Sequence, residues 1–199
     1  MVIRYGIAPA RSRDIAVKIL LHTCCGPCAA FPVEELRAAG HEVTGFWYNP
    51  NLHPYQEYER RLAAARSYAE QAGLHLIVHD EYGFKEFVRA VAFREAQRHA
   101  ICYEMRLRRT AAAAKSGHFD AFTTTLLVSP HQQHETIRAI GEQVAAEVGV
   151  PLHYEDFRPG FKRHHELAER YGLYRQQYCG CIYSEHERFG PKQKKGSPD

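Results

Sequence analysis

The sequence predicts an α/β fold in which a parallel β-sheet is covered by helices. Short runs of β-branched and aromatic residues alternate with charged, alanine-rich segments, and this alternation is typical of strands joined by crossover helices. The 199 residues are enough for one domain with a sizeable core. Because ligands of such sheets bind at the carboxyl ends of the strands, the candidate site residues are those that follow a predicted strand.

Each predicted element is bounded by residues that stop or start regular structure. Gly40 and Gly73 are natural helix stops, residues 49–54 carry two prolines and two asparagines, and Ser129 with Pro130 predicts a helix start. The predicted strands are 17–21, 42–48, 74–78, 121–128 and 152–154. The predicted helices are 31–39, 55–72, two within 84–116 that meet near 98–102, 129–148 and 161–171.

Three regions are expected along the chain. Residues 1–14 show no periodicity and are predicted to form an N-terminal extension, residues 15–188 a single α/β catalytic domain, and residues 189–199 a disordered basic tail. Within the domain, residues 175–184 are predicted to form a polar, aromatic loop that carries two cysteines.

Composition indicates a cytoplasmic protein with reduced thiols. No apolar run approaches the roughly 20 residues of a membrane span, and residues 1–13 lack the apolar core of a signal peptide. Six cysteines in such a chain are interpreted as metal ligands or redox groups rather than as structural disulfides. The formal charge of +3 is mild, but basic residues are concentrated at 106–109 and 192–195.

Three cysteines lie where the first predicted strand passes into the first predicted helix. Cys24, Cys25 and Cys28 stand at a helix N-terminus, whose unpaired N–H groups and dipole favour thiolates. Thiolates are nucleophiles and ligands for iron or zinc. Two adjacent cysteines suit a cluster or a pair of metals, because their side chains diverge. This cysteine turn therefore predicts a redox or metal site.

The remaining cysteines are Cys102, Cys179 and Cys181. If the middle helix and the C-terminal loop fold over the cysteine turn, the thiolates suffice for an iron–sulfur cluster and a second function. The C-x-C pair fits two ligands of one metal or a redox disulfide. Two alternatives use the same thiols: a thioredoxin-like disulfide reductase based on Cys25 and Cys28, and a non-catalytic, zinc-containing RNA-binding module.

Several polar residues are candidates for contacts with a substrate. Hydroxyls at the end of the fourth predicted strand suit a phosphate or a ribose, and these belong to Thr124, Thr125 and Ser129. A basic run fits a phosphate backbone, although such runs are usually solvated, and it contains Arg106, Arg108 and Arg109. Two tyrosines flank the C-x-C pair, where they can stack on a base or deliver a proton, and these are Tyr178 and Tyr183.

The chain carries five motifs in one order between His22 and Glu185. They are HTCCGPC, NPNLHP followed by EYERR, ICYEMRLRRTAAAAK, FTTTLLVSPHQQHE and YRQQYCGCIYSE. Together these motifs resemble those of the QueH-type, cobalamin-independent epoxyqueuosine reductases. The resemblance covers nearly the whole predicted domain, and five motifs in order are far more specific than any one of them.

The resemblance implies reduction of the epoxide of epoxyqueuosine, at the wobble position of a tRNA, to the cyclopentene of queuosine. The partners it implies are the tRNA and an unidentified electron donor, with no membrane. The fold it implies is the Rossmann-like one of the adenine nucleotide α-hydrolases, with a cysteine-containing C-terminal segment. Their ATP loop is expected to be absent, because the cysteine turn stands in its place.

The resemblance also implies a 4Fe-4S cluster. Cys24 and Cys25 match paired cluster cysteines, and Cys102 matches the second cysteine of an R-C-x-x-C segment in which His99 stands here in place of the first cysteine. Either His99 is an unusual ligand, which would raise the reduction potential, or an iron keeps an open site, or the fourth ligand is one of Cys28, Cys179 and Cys181. A second, mononuclear iron is a further candidate. The C-x-C pair acts as redox thiols or as metal ligands, with Tyr183 as a candidate proton donor.

Overall fold

A computed structural model of the chain describes residues 16–191. The predicted N-terminal extension, residues 1–14, lies outside the described residues, and so do residues 192–199 of the predicted tail. Among the described residues, no helix is both long enough and apolar enough to cross a bilayer.

Four parallel strands form the sheet, in the order β3-β2-β1-β4, and helices cover it, so the predicted α/β class is confirmed. The strands are β1 (Lys18–His22), β2 (Glu42–Trp47), β3 (Leu76–Val78) and β4 (Ala121–Thr124). The helices are α1 (Gly26–Ala38), α2 (Tyr55–Gln71), α3 (Phe84–Val91), α4 (Arg98–Ser116), α5 (His134–Val148), α6 (Phe161–Arg170) and α7 (Ile182–Phe189).

The central strand β1 is covered on both faces, which is consistent with its apolar sequence. Ile19, Leu20 and Leu21 are fully buried, as expected for a strand inside a parallel sheet. On one side α1 packs against α2 and α6, and on the other α4 packs against β1, β4 and α5. The chain runs outward from β1 to β3 and then returns to place β4 beside β1. The carboxyl ends of β1 and β4 therefore form the switch point of the sheet, the usual ligand site of such folds.

The predicted fourth strand is too long, because its last four residues form a 3₁₀ turn. β4 ends at Thr124, and residues Thr125–Val128 turn away after the Thr124 hydroxyl accepts the Leu126 N–H at 3.2 Å. Such local side-chain bonds compete with the strand ladder. The predicted helix start at Ser129 is also wrong. Ser129 follows the 3₁₀ turn, its hydroxyl accepts the His131 N–H at 3.3 Å, and α5 begins at His134.

Three further boundaries differ from the predictions. α1 begins at Gly26, five residues early, because the Cys25 side chain caps it. The predicted strand at 152–154 is reduced to one bridge between Phe122 and Leu152. The predicted loop at 175–184 gives way to α7 at Ile182, since the Cys181 sulfur accepts the Ser184 N–H at 3.4 Å and caps that helix.

Candidate active site

The cysteine turn links β1 to α1 at the switch point and brings three sulfurs together. The Sγ atoms of Cys24, Cys25 and Cys28 all lie within 4.8 Å of one another, and all three residues are buried. Cys25 is the N-cap of α1, and its sulfur accepts the Cys28 N–H at 3.4 Å. These donor atoms could hold a metal ion or one face of a cluster.

Gly26 allows this turn to pass close to helix α2. A Cβ at this position would lie 2.4 Å from the Ala64 carbonyl oxygen, which is backbone and cannot move aside easily. Pro27 follows in the first helical turn, where its missing N–H costs nothing. The C-C-G-P-C sequence thus starts α1 directly against α2 and fixes the three sulfurs.

Hydrogen bonds bias one of the three thiols toward its thiolate. Bonds from Cys25, Cys28 and Thr125 hold the pKa of the Cys24 thiol well below its usual range, although burial opposes them. The Thr125 hydroxyl donates to the Cys24 sulfur at 3.1 Å and accepts the Cys24 N–H at 3.0 Å. Burial raises the pKa of Cys25, and bonds with the neighbouring sulfurs raise that of Cys28. Of the three thiols in the cysteine turn, Cys24 is therefore the one that most readily carries negative charge.

The neighbouring His22 is a structural residue. Its ring contacts the Thr124 hydroxyl at 2.9 Å and the Tyr48 carbonyl oxygen at 3.2 Å. Burial lowers the pKa of His22 to about 4, so the imidazole is neutral near pH 7. Thr124 is fully buried and bonded to His22, whereas Thr125 and Ser129 line the cavity described next.

The other three cysteines form a second group around helix α4. Cys102 packs with Cys181, Phe87 and Val91, and the Arg106 guanidinium donates to the Cys102 sulfur at 3.0 Å. Burial raises the pKa of Cys102 to about 12, although Arg106 opposes that rise. Cys179 is exposed, and the Gln132 amide lies 3.6 Å from its sulfur.

A cavity of about 550 Å³ lies between the two groups of thiols. Cys24 and Cys28 line it from one group and Cys179 from the other, together with the buried cations Arg61 and Arg106. Cys25, Cys102 and Cys181 lie behind this lining in the described structure. The cavity therefore combines soft sulfur donors with two buried guanidinium groups.

Two charged residues from the EYERR motif hold the C-x-C loop in place. Glu57 and Arg61 form a buried ion pair at 2.7 Å, and Arg61 donates to the carbonyl oxygens of Tyr178 and Cys179, each at 2.9 Å. The Tyr174 hydroxyl donates to Glu57 at 2.6 Å. Sequence reasoning assigned this pair no role. The available signal was the four-residue spacing of opposite charges beside a proline-rich loop.

The Asn-Pro-Asn loop completes this attachment. The His53 N–H donates to the Gly180 carbonyl oxygen at 2.8 Å, and the Tyr178 hydroxyl donates to the His53 carbonyl oxygen. Gly180 has φ +139°, and a Cβ there would lie 2.5 Å from the Leu52 side chain. Only glycine therefore fits between the two cysteines of the C-x-C pair.

The three arginines expected to act together are separated in the structure. Arg106 is buried against Cys102, whereas Arg108 forms ion pairs with Glu104 at 2.9 Å and Glu147 at 2.6 Å. The Arg109 guanidinium lies over the Tyr48 ring, 5.8 Å from its centroid. These residues do not form one basic surface, and only Arg106 lines the cavity.

His99 and Tyr183, two further candidates, lie in different places. His99 lines the cavity, with its Nδ1 3.2 Å from the Gln133 amide, and burial and Arg98 lower its pKa. Tyr183 is half-buried, and the Arg98 guanidinium lies over its ring, 6.0 Å from the ring centroid. Among the described residues, the cavity lining does not include Tyr183.

A parallel, helix-covered sheet with buried thiols and a cysteine-lined cavity at its switch point defines a class of α/β protein equipped for redox or metal chemistry. A family model described as "Epoxyqueuosine reductase QueH" matches residues 19–187. The chain therefore belongs to the epoxyqueuosine reductase QueH family, a family of oxidoreductases, and the resemblance of its five motifs is confirmed.

Curated relatives from several bacteria carry the same description. The protein of Dehalococcoides mccartyi is 40% identical over 176 residues, which cover 88% of this chain and 97% of the relative. The Thermotoga maritima protein is 32% identical over 180 residues, covering 85% and 91%. The Streptococcus pyogenes protein is 33% identical over 183 residues, covering 86% and 71%.

Proposed function

We propose that this protein reduces epoxyqueuosine to queuosine at the wobble position of a tRNA, with a metal cofactor held by its buried thiols. The observation that carries the proposal is the cavity of about 550 Å³ between two thiol groups, in a chain that matches the family over residues 19–187. Such a reaction on tRNA belongs in the cytoplasm. A non-catalytic, zinc-containing RNA-binding module would not explain why the chain belongs to a family of reductases. A thioredoxin-like disulfide reductase based on Cys25 and Cys28 would leave the other four cysteines without a role.

The cysteine turn fits a 4Fe-4S cluster. Its three sulfurs are buried, close together and fixed by a helix N-terminus, and thiolates are the usual ligands of such clusters. Cys24 and Cys25, favoured by the sequence, would hold the cluster together with Cys28. Cys102 lies in the second group beside Arg106, so the fourth ligand stays open among Cys102, Cys179, Cys181 and His99. When bound, the cluster supplies electrons one at a time.

The C-x-C pair of the second thiol group has two proposed roles. Cys179 and Cys181 either bind a second, mononuclear iron or act as a dithiol that becomes a disulfide on giving up two electrons. In both roles the loop must hold Cys179 at the cavity, as the Arg61 bonds to its backbone do. An external electron donor restores the reduced state.

Removal of the epoxide oxygen as water consumes two electrons and two protons. Negative charge develops on the departing oxygen, and the buried Arg106 guanidinium, which lines the cavity, is placed to stabilise it. A proton must also reach that oxygen. Histidines that line the cavity, such as His99, fit this role better than Tyr183, whose ring lies outside the lining.

The proposed function is tested by anaerobic turnover. Metal-replete protein, a strong chemical reductant and tRNA containing epoxyqueuosine should yield queuosine, measured by nucleoside mass spectrometry. Cys179→Ser should abolish turnover, because its thiol is needed in either role. Arg138→Gln, which changes an exposed ion pair at 2.8 Å outside the cavity lining, is the control and should keep full activity. No queuosine from metal-replete wild-type protein would refute the assignment.

A further inference from the structure

One part of the cavity wall is aromatic and contains no cysteine. Phe161 begins α6, and three imidazoles surround its ring: His131 at 5.9 Å, His164 at 4.9 Å and His165 at 4.9 Å between ring centroids. The rings of His164 and His165 lie 4.0 Å apart. All four residues line the same cavity as Cys24 and Cys28. We call these four residues the aromatic wall.

We propose that the aromatic wall is the subsite that stacks on the nucleobase of the tRNA nucleotide to be reduced. The inference rests on the proposed function, because it takes that nucleotide as the occupant of the cavity. It adds a specific role for Phe161, His164 and His165, which lie outside the five motifs, and for His131 within the fourth motif.

The depth of the thiols favours a nucleotide that leaves the anticodon stack. Cys24 is only 9% exposed and Cys28 only 6%, so the substituent to be reduced must enter the cavity to approach them. Enzymes that modify such bases turn the nucleotide out and hold it in a pocket. Protein rings then replace the lost stacking, and Phe and His are among the side chains that do so for single-stranded RNA.

Hydrogen bonds set the two histidines of α6 as one acceptor and one donor. His164 Nδ1 donates to the Phe161 carbonyl oxygen at 2.6 Å, which leaves Nε2 as an acceptor. His165 Nδ1 accepts from the Arg175 guanidinium at 3.1 Å, so Nε2 carries the hydrogen. Burial lowers the pKa of both imidazoles, which keeps them neutral.

A nearby glutamine adds an acceptor to the same wall. The Gln176 amide nitrogen donates to the Cys28 sulfur at 3.4 Å, while its buried Oε1 has no partner among the described residues. A base edge that carries both donors and acceptors, as the 7-deazaguanine of queuosine does, complements this set.

The test compares two anticodon stem-loops that differ only at the wobble position. One carries 7-deazaguanosine and the other an abasic site, and their dissociation constants are measured by fluorescence anisotropy at one salt concentration, with metal-replete protein. Wild-type protein should bind the 7-deazaguanosine loop roughly 5- to 100-fold more tightly, the range expected for stacking of one base. Phe161→Leu and Phe161→Ala should reduce this preference toward 1, and Phe161→Tyr should retain it.

Two controls make the result specific. Phe93, which is 99% exposed and outside the cavity lining, provides the matched variant Phe93→Ala, which should keep the wild-type preference. Phe161→Leu keeps apolar bulk without a ring, so a folding defect in Phe161→Ala leaves the test intact. An unchanged preference in Phe161→Leu, or equal binding of both loops by wild type, would overturn the subsite. Turnover of epoxyqueuosine tRNA is measured separately, so its failure would count against the proposed function and not against the binding result.

Discussion

Arg61 connects two regions of the site that are far apart in sequence. Its three nitrogens are all engaged, by Glu57 at 2.7 Å and by the carbonyl oxygens of Tyr178 and Cys179 at 2.9 Å each. The side chain is 2% exposed, so none of these bonds is replaced readily by water. Arg61 therefore acts as a positioning residue that sets the backbone of the C-x-C loop.

Replacing Arg61 should both destabilise the fold and release Cys179. Arg61→Ala leaves Glu57 buried without its partner, which costs roughly 3–5 kcal/mol in the free energy of unfolding. Arg61→Lys keeps the charge but cannot reproduce the forked contacts with two carbonyl groups, so Cys179 should react faster with a thiol alkylating agent. Urea denaturation and alkylation followed by mass spectrometry measure the two effects.

The adjacent arginine is a matched control for this prediction. The Arg60 side chain is 55% exposed and lies 4.0 Å from the same Glu57, so Arg60→Ala should change stability by less than about 1 kcal/mol. Equal alkylation rates of Cys179 in wild type and Arg61→Lys would contradict the positioning role.

At the scale of elements, the sequence correctly predicts those helices, strands and helix ends that depend on residues close together in the chain. The apolar run of β1, the glycine after α1 and the long charged α2 match the structure closely, since each depends on residues near in the chain. The strand predicted at 121–128 fails after Thr124, because a side-chain bond there turns the backbone. The sequence motif at Cys181 did not predict α7, since a cysteine is an unusual helix cap.

Gly26 should be required for the junction between α1 and α2. Gly26→Ala would place a methyl group 2.4 Å from the Ala64 carbonyl oxygen, and overpacking of this kind costs roughly 1–3 kcal/mol. Because the resulting shift moves Cys25 and Cys28, this variant should also lose metal. Thermal denaturation and metal analysis of anaerobically purified protein measure both.

A variant at a second glycine, Gly40, serves as a control that separates the effect of crowding from that of backbone strain. Gly40 has φ +92°, and a Cβ added there would meet nothing within 4 Å, so Gly40→Ala should lower stability by about 1–2 kcal/mol through conformation alone. Gly40→Ala should keep its metal. If Gly26→Ala binds as much metal as Gly40→Ala, the close approach of α2 does not shape the cysteine turn.

At the scale of the whole molecule, the candidate site exists only when both ends of the domain meet. Gln176 contacts the Cys28 sulfur across 148 positions of sequence, and Arg61 contacts Cys179 across 118. Sequence reasoning identified all six cysteines, but local patterns carry no information on which ones meet. The family resemblance assigns Cys102 to the cluster with Cys24 and Cys25, and this assignment stays a prediction, while in the structure Cys102 packs beside Cys181.

Metal bound at the cysteine turn should stabilise the entire fold. The three sulfurs come together only in the folded chain, so metal binds the folded state preferentially, and a concentration 100-fold above the dissociation constant adds about 2.7 kcal/mol. For a domain of this size that corresponds to a rise in Tm of roughly 5–10 °C. Anaerobic wild-type protein should carry about four irons with matching sulfide, and removing them with a chelator should lower Tm.

Cys24→Ser, Cys25→Ser and Cys28→Ser should lose the iron and the metal-dependent rise in Tm. Cys102→Ser tests the sequence's assignment of a ligand directly, since loss of iron there would extend the cluster site to α4. Wild-type protein that carries only zinc, or whose Tm is unchanged by metal removal, would contradict an iron–sulfur site at the cysteine turn.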